Sequence, residues 1–224
     1  ALIADEETRQ KMACGDPKAA PAAAILDPDL TLTQPSEITV VTGIDAVTHA
    51  VETWVTKKRN PVSELFSRRA WHLLSANFPV VLREPNNRAA RAGMLLGSHY
   101  AGAAIENSML GAAHSCANPL TAHHGVTHGA AVGLMLPAVI RFNAGEVGGL
   151  YAQLDADLGG AEILAQTIED WMRQAELPTR LSEYDISQEA LPLLAEEAAR
   201  QWTASFNPRQ VTARQLLEIY QRVY

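Results

Sequence analysis

Gly43-Ile-Asp-Ala-Val-Thr-His49 places a carboxylate and an imidazole four residues apart. On a helix, residues i and i+4 share a face, so Asp45 and His49 aim at one point. The stretch Ala113-His-Ser-Cys-Ala-Asn-Pro-Leu-Thr-Ala-His-His-Gly-Val-Thr-His-Gly129 adds His114 and His128, fourteen residues apart. Pro119 and Gly125 between them are expected to stop a single helix from running through. A helix, a loop and a second helix start would then bring the two histidines together. Three imidazoles and one carboxylate suit a first-row divalent ion such as Zn or Fe(II), and an open coordination position would make the site catalytic and not structural. Taken alone, the D-x-x-x-H spacing also occurs as a surface or capping feature.

Outward from these stretches the patterning is helical from Ser36 onward. Apolar residues recur at three and four in Leu65, Phe66, Ala70, Leu73 and Leu74, and again in Ile163, Leu164, Ile168, Trp171 and Met172. Breaks are expected at Asn60-Pro61, Glu84-Pro-Asn-Asn87, from Pro119 to Gly125, from Asn143 to Gly149, and at Gly159-Gly160, Leu177-Pro178 and Asn207-Pro208. They divide the body into about eight helices of ordinary length. Thr212 with Gln215 fits a capping box for the last helix, and Ser187 is a candidate cap for the one before it. Gly97, Gly102, Gly111 and the alanines around them would allow close helix packing. The first 35 residues read differently: Ala22-Ala-Ala-Ile-Leu26, closed by Asp27-Pro28, and Leu30-Thr-Leu-Thr33 suggest one or two extended segments. The expected fold is mainly α, a multi-helix bundle over residues 36–224 with a short β element in residues 1–35.

The chain has 224 residues, 47% hydrophobic and 19% charged, enough for one large core or two small ones. A net charge of -7 argues against a nucleic-acid partner, which needs a basic face. Lys57-Lys58-Arg59 sits at an expected helix end, where cations complement the dipole. Cys14 and Cys116 form no C-x-x-C pair, so a disulfide framework is not expected and a cytoplasmic compartment is. No stretch approaches eighteen consecutive apolar residues, and residues 1–7 lack the features of a signal peptide, so no membrane partner is expected. No G-x-G-x-x-G or P-loop pattern occurs.

Several stretches together resemble the iron-containing, group III alcohol dehydrogenases, relatives of glycerol dehydrogenase and dehydroquinate synthase. Thr42-Gly-Ile-Asp-Ala-Val-Thr-His-Ala-Val-Glu52 is similar to the family's T-G-x-D-A-x-x-H-A-x-E, and Asn107-Ser-Met-Leu-Gly-Ala-Ala-His114 to its N-x-x-L-G-x-x-H. Thr127-His-Gly129, Leu136-Pro137 and Phe142-Asn143 resemble its H-G-x(6)-L-P-x(4)-F-N, and Asn207-Pro-Arg209 its C-terminal N-P-R. Ala24-Ile-Leu-Asp-Pro-Asp-Leu-Thr31 looks like the strand and exit joining the family's nucleotide-binding domain to its helical, dehydroquinate synthase-like domain.

The resemblance implies metal ligands at Asp45, His49, His114 and His128, the four that spacing also selects. It implies hydride transfer between an alcohol and NAD(P), with the metal as Lewis acid on the substrate oxygen. Fe(II) is the first expectation and Zn(II) the second. Where the family commonly carries a further histidine, four residues after the third ligand, this chain has Asn118, which cannot shuttle a proton as an imidazole does. His123 and His124, in the expected loop before His128, read either as rim histidines or as groups for substrate contact and proton transfer; with Asn118, His124 is a candidate catalytic residue. Cys116 reads as a small buried thiol, with a spare soft ligand as the alternative.

Family members carry a nucleotide-binding domain of roughly 150 residues with a G-G-G-S turn, and this chain is expected to begin near its last strands. NAD(P) is therefore expected only with that domain, and the present chain reads either as a fragment or as a half-protein needing another chain. The partners expected are a small-molecule alcohol or carbonyl substrate and further copies of the chain. One rival is a metal-binding helical module without turnover by itself. Another is a related reductase or lyase, of the maleylacetate reductase, glycerol dehydrogenase or dehydroquinate synthase type; a lyase reading predicts an anion pocket, and few basic residues lie near the four ligands in sequence.

Overall fold

A computed structural model of the chain describes residues 2–4, 11–13, 18, 21–155 and 159–224. Two three-residue strands, β1 (Leu2–Ala4) and β2 (Lys11–Ala13), pair antiparallel with Leu2 opposite Ala13. Eight α-helices follow among the described residues: α1 (Ser36–Val55), α2 (Pro61–Arg83), α3 (Arg88–Glu106), α4 (Ala112–His124), α5 (His128–Leu154), α6 (Ala161–Gln174), α7 (Leu191–Arg200) and α8 (Ala213–Arg222). The fold is mainly α.

The extended segments expected within residues 22–33 do not form. Residues 22–27 join no sheet, and Pro28–Thr31 is a 3-10 turn. Local chemistry accounts for the turn: Asp27 caps it by accepting the Asp29 N–H at 2.9 Å, and Pro28 presets φ at its first position. Ile25 is 91% exposed and Leu30 76% exposed, so this apolar run meets no sheet that would bury it.

The helix count matches expectation, but two boundaries move. Pro119 does not end a helix; α4 runs through it and stops at Gly125, whose φ of +65° gives a left-handed C-cap. His123 and His124 thus close the last turn of α4 and do not lie in a loop. The break expected between Asn143 and Gly149 is only a kink at Val147 inside α5. An unexpected break separates α3 from α4. There Asn107 donates its side-chain amide to the Ala103 carbonyl at 2.8 Å and Ser108 its hydroxyl to that of Ala104 at 2.6 Å, so short polar side chains take up the last carbonyls of α3. The Thr212 capping box forms as read. Ser187 caps no helix with its side chain and precedes a 3-10 turn, Gln188–Ala190, that leads into α7.

Helix α1 packs on α2, α3 and α5; α4 packs on α5 and α7, and α7 on α8. Ile44, Leu74 and Phe78 have no exposed surface, and burying each contributes about 1.5–3 kcal/mol. Gly97 lets α3 approach α2, since a Cβ there would stand 2.8 Å from the Leu74 side chain. Helix α5 is long and apolar enough to cross a membrane by composition, yet 72% of its apolar window is buried within the protein, as befits a central core helix. The cations of residues 57–59 serve packing: Lys58 lies over the Phe206 ring, and Arg59 pairs with Glu64 at 2.9 Å.

Candidate metal centre

Asp45 and His49 stand one turn apart on α1, His114 is in the first turn of α4, and His128 is the first residue of α5. Backbone contact sets their mutual position. Gly129 lies against Val41 so closely that a Cβ would come 1.9 Å from the Val41 carbonyl oxygen, which brings the start of α5 beside Asp45. The left-handed Gly125 reverses the chain within three residues, so α4 and α5 present their histidines to the same place.

The Asp45 carboxylate is the hub. Its Oδ1 lies 3.4 Å from His49 Nε2, 3.5 Å from His114 Nε2 and 4.0 Å from His128 Nε2. Donors on a tetrahedron with bonds of about 2.0–2.1 Å stand about 3.3–3.4 Å apart; the His49 and His114 separations are close to that, and the His128 nitrogen lies somewhat farther out. One ligand atom each from Asp45, His114 and His128 lies within 4.8 Å of the others. His49 joins through Asp45 and through its ring, stacked on that of His114 with centroids 4.9 Å apart. Asp45 Oδ1 and His114 Nε2 are both buried and make no hydrogen bond, which is the condition of atoms that an ion would satisfy.

The charges agree with the geometry. Burial alone would raise the Asp45 pKa, but His49, His114 and His128 outweigh it and hold the carboxyl well below the usual carboxylate range. Burial alone would lower His114; the Asp45 and Glu52 carboxylates on either side of the ring reverse this and raise it to about 9. Burial and the neighbouring His123 lower the His124 pKa, which favours its neutral ring.

The remaining candidates sit apart. Asn118 donates its amide to Gln201 Oε1 at 3.1 Å, and His123 pairs with Glu197 on α7 at 2.6 Å. His124, at the exposed end of α4, makes no hydrogen bond to any of the four. Cys116 is fully buried and burial pushes its thiol up, as expected of a structural cysteine. A cavity of about 400 Å³ between α5, α6 and the end of α8 gathers Arg141, Arg173, Arg180 and Arg222, but none of the four candidate ligands lines it.

Sequence reasoning did not single out Glu52, although it ends the family-like stretch Thr42 to Glu52 and falls on the same face of α1 as Asp45 and His49. Its carboxylate meets His114 Nδ1 at 2.7 Å. Nor did it explain the other motif residues. Asn207 accepts the Ala112 N–H at 3.3 Å and exchanges amide bonds with Asn143, while Arg209 donates to the Phe142 carbonyl at 2.8 Å. These pairs brace the turn on which α4 begins.

Among known families, residues 39–224 match the Fe-containing alcohol dehydrogenase family, C-terminal. The chain belongs to that family. Members similar to it include lactaldehyde reductase of Escherichia coli K12, 29% identical over 230 residues, with 98% of this chain and 59% of the relative covered. The 1,3-propanediol dehydrogenase of Citrobacter freundii is 28% identical over 233 residues, covering 100% and 60%. Among solved family structures, alcohol dehydrogenase from Oenococcus oeni superposes with a TM-score of 0.94 at 27% identity, covering all of this chain and 61% of that one. The chain thus spans about three-fifths of the length of the relatives it matches.

Proposed function

We propose that Asp45, His49, His114 and His128 hold one divalent ion, Fe(II) or Zn(II), and that the chain supplies the metal and substrate half of an NAD(P)-dependent alcohol dehydrogenase. The observation that carries this is a single buried carboxylate oxygen without a hydrogen bond, set 3.4–4.0 Å from three imidazole nitrogens on three helices. Hard carboxylate with imidazole tolerates either metal, and availability would choose between them. When bound, the ion would act as a Lewis acid toward the oxygen of an alcohol or carbonyl substrate.

This chain's own groups would do the rest. Asp45, kept ionised, offsets the charge of the ion. The apolar residues packed behind α1 and α5 exclude water from the inner side of the centre. Asn118 cannot carry a proton, and its bond to Gln201 gives it a role in holding α4 to the segment that follows α7. His124, whose neutral ring is favoured by burial and by His123, is the imidazole at the outer end of α4 that would accept a proton from solvent or substrate. The names of the relatives, lactaldehyde reductase and 1,3-propanediol dehydrogenase, support a short alcohol, aldehyde or ketone as substrate.

NAD(P) would be bound by a nucleotide-binding domain, to which residues 1–35 form the link; exposed Ile25, Leu26 and Leu30 support an apolar contact there. A cytoplasmic homo-oligomer is the setting we propose. Protein purified without chelator should carry about one Fe or Zn per chain, and His128→Ala should abolish it. Unchanged metal content in that variant would overturn the assignment.

A further inference from the structure

Glu52 is 3% exposed and stands where α1 meets the start of α4. Its two oxygens engage three groups: the Gly111 N–H at 3.0 Å, the Ala113 N–H at 2.7 Å and His114 Nδ1 at 2.7 Å. Helix α4 has no capping side chain of its own, because its N-cap is Gly111. The unpaired N–H groups and the positive end of the helix dipole are therefore met by a carboxylate from a different helix. Both Glu52 oxygens already accept backbone N–H groups, so the carboxylate faces the ring as an acceptor and the hydrogen between them belongs to His114 Nδ1. In the neutral ring this leaves the lone pair on Nε2, the atom 3.5 Å from Asp45 Oδ1.

We propose that Glu52 is a positioning residue that fixes His114 as the Nδ1–H tautomer with its Nε2 lone pair turned toward Asp45, and that ties this placement to α1 by capping α4. The purpose of the device rests on the metal reading above, but its geometry does not. Residues 45, 49 and 52 follow an i, i+4, i+7 row, so one face of α1 carries two candidate ligands and orients a third through Glu52. A carboxylate behind a metal-bound histidine commonly contributes ten- to hundredfold in metal affinity.

The test is Glu52→Gln in the 224-residue chain, with Co(II) and Zn(II) as probes. The glutamine keeps the volume and one acceptor, but its NH2 group can donate to Nδ1 and drive His114 to the Nε2–H form. The expected result is an increase in both dissociation constants of about 10–100-fold with unchanged far-UV circular dichroism. Two-bond ¹H–¹⁵N spectra of histidine-labelled, metal-free protein, followed through a pH titration until the His114 ring has lost its charge, should show Nδ1–H in the parent and Nε2–H in the variant. Wild-type affinity in the folded variant, or an Nε2–H signal from His114 in the parent, would overturn the proposal. Were Glu52 only a cap, melting temperature would fall while affinity and tautomer stayed as they were. If the parent protein binds neither ion, the metal reading fails and the tautomer still decides the role of Glu52. The parent spectrum decides it equally if the variant does not fold.

Discussion

His114 concentrates the electrostatics of the centre. Its pKa in the folded chain lies at about 9, above the ordinary 6.5, because Asp45 and Glu52 outweigh its burial. A histidine raised in this way stabilises the fold fully below its unfolded pKa, and the contribution is lost as pH rises through the folded value. The metal-free protein should therefore melt at progressively lower temperature from pH 6.5 to 9, and a flat profile would contradict the charge arrangement. Metal loading at pH 7 should displace this proton, seen as a binding enthalpy that varies with the ionisation heat of the buffer. Gly129 matters for a steric reason. In Gly129→Ala the new methyl meets the Val41 carbonyl, a backbone atom that yields only if α1 and α5 separate. We expect a loss of about 1–3 kcal/mol or more in denaturant unfolding, with weaker metal binding; wild-type stability would show that the two helices are not held in contact there.

Helix α4 shows how packing overrides a local signal. Pro119 removes one backbone bond and should end the helix. Instead, side chains of residues 201–207 hold α4 at successive turns: Asn207 on the Ala112 N–H, Thr203 on Ser115 at 2.8 Å, and Gln201 on Asn118. Helix α8 adds a further hold, because the Tyr220 hydroxyl donates to the Cys116 carbonyl at 2.7 Å. The stability of α8 thus bears on the helix that carries His114. Thr212→Ala removes the reciprocal cap with Gln215 and should cost about 1 kcal/mol, read as a lower midpoint in thermal or denaturant unfolding. No change would mean that packing of Leu216 and Ile219 alone sets the start of α8.

Across the molecule, the centre lies where α1, α4 and α5 converge, with α1 and α4 both packed on α5 through one apolar core. Metal binding, as proposed, would thereby be a property of the assembled bundle. Cofactor binding is a separate matter, since the chain spans about three-fifths of its relatives and contains no phosphate-cradling glycine pattern. Titrating the 224-residue chain with NADH should give little fluorescence change. Micromolar affinity would refute the assignment of cofactor binding to residues outside this chain.

The helical body, its approximate number of helices and the four residues that meet at the centre were all legible before any coordinates, because they depend on short-range spacing. A D-x-x-x-H pair shares a helix face wherever that helix lies, and a glycine between two histidines allows a reversal. The rest depended on contacts between residues far apart in the chain. Whether Pro119 stops α4 turned on residues 201–207, and whether residues 22–33 form strands turned on a neighbouring sheet that the described residues do not provide. That Glu52 faces His114 follows from α1 crossing the start of α4, a relation that no local period encodes. Spacing along a helix fixes which side chains point the same way; only the packing of helices fixes which of them touch.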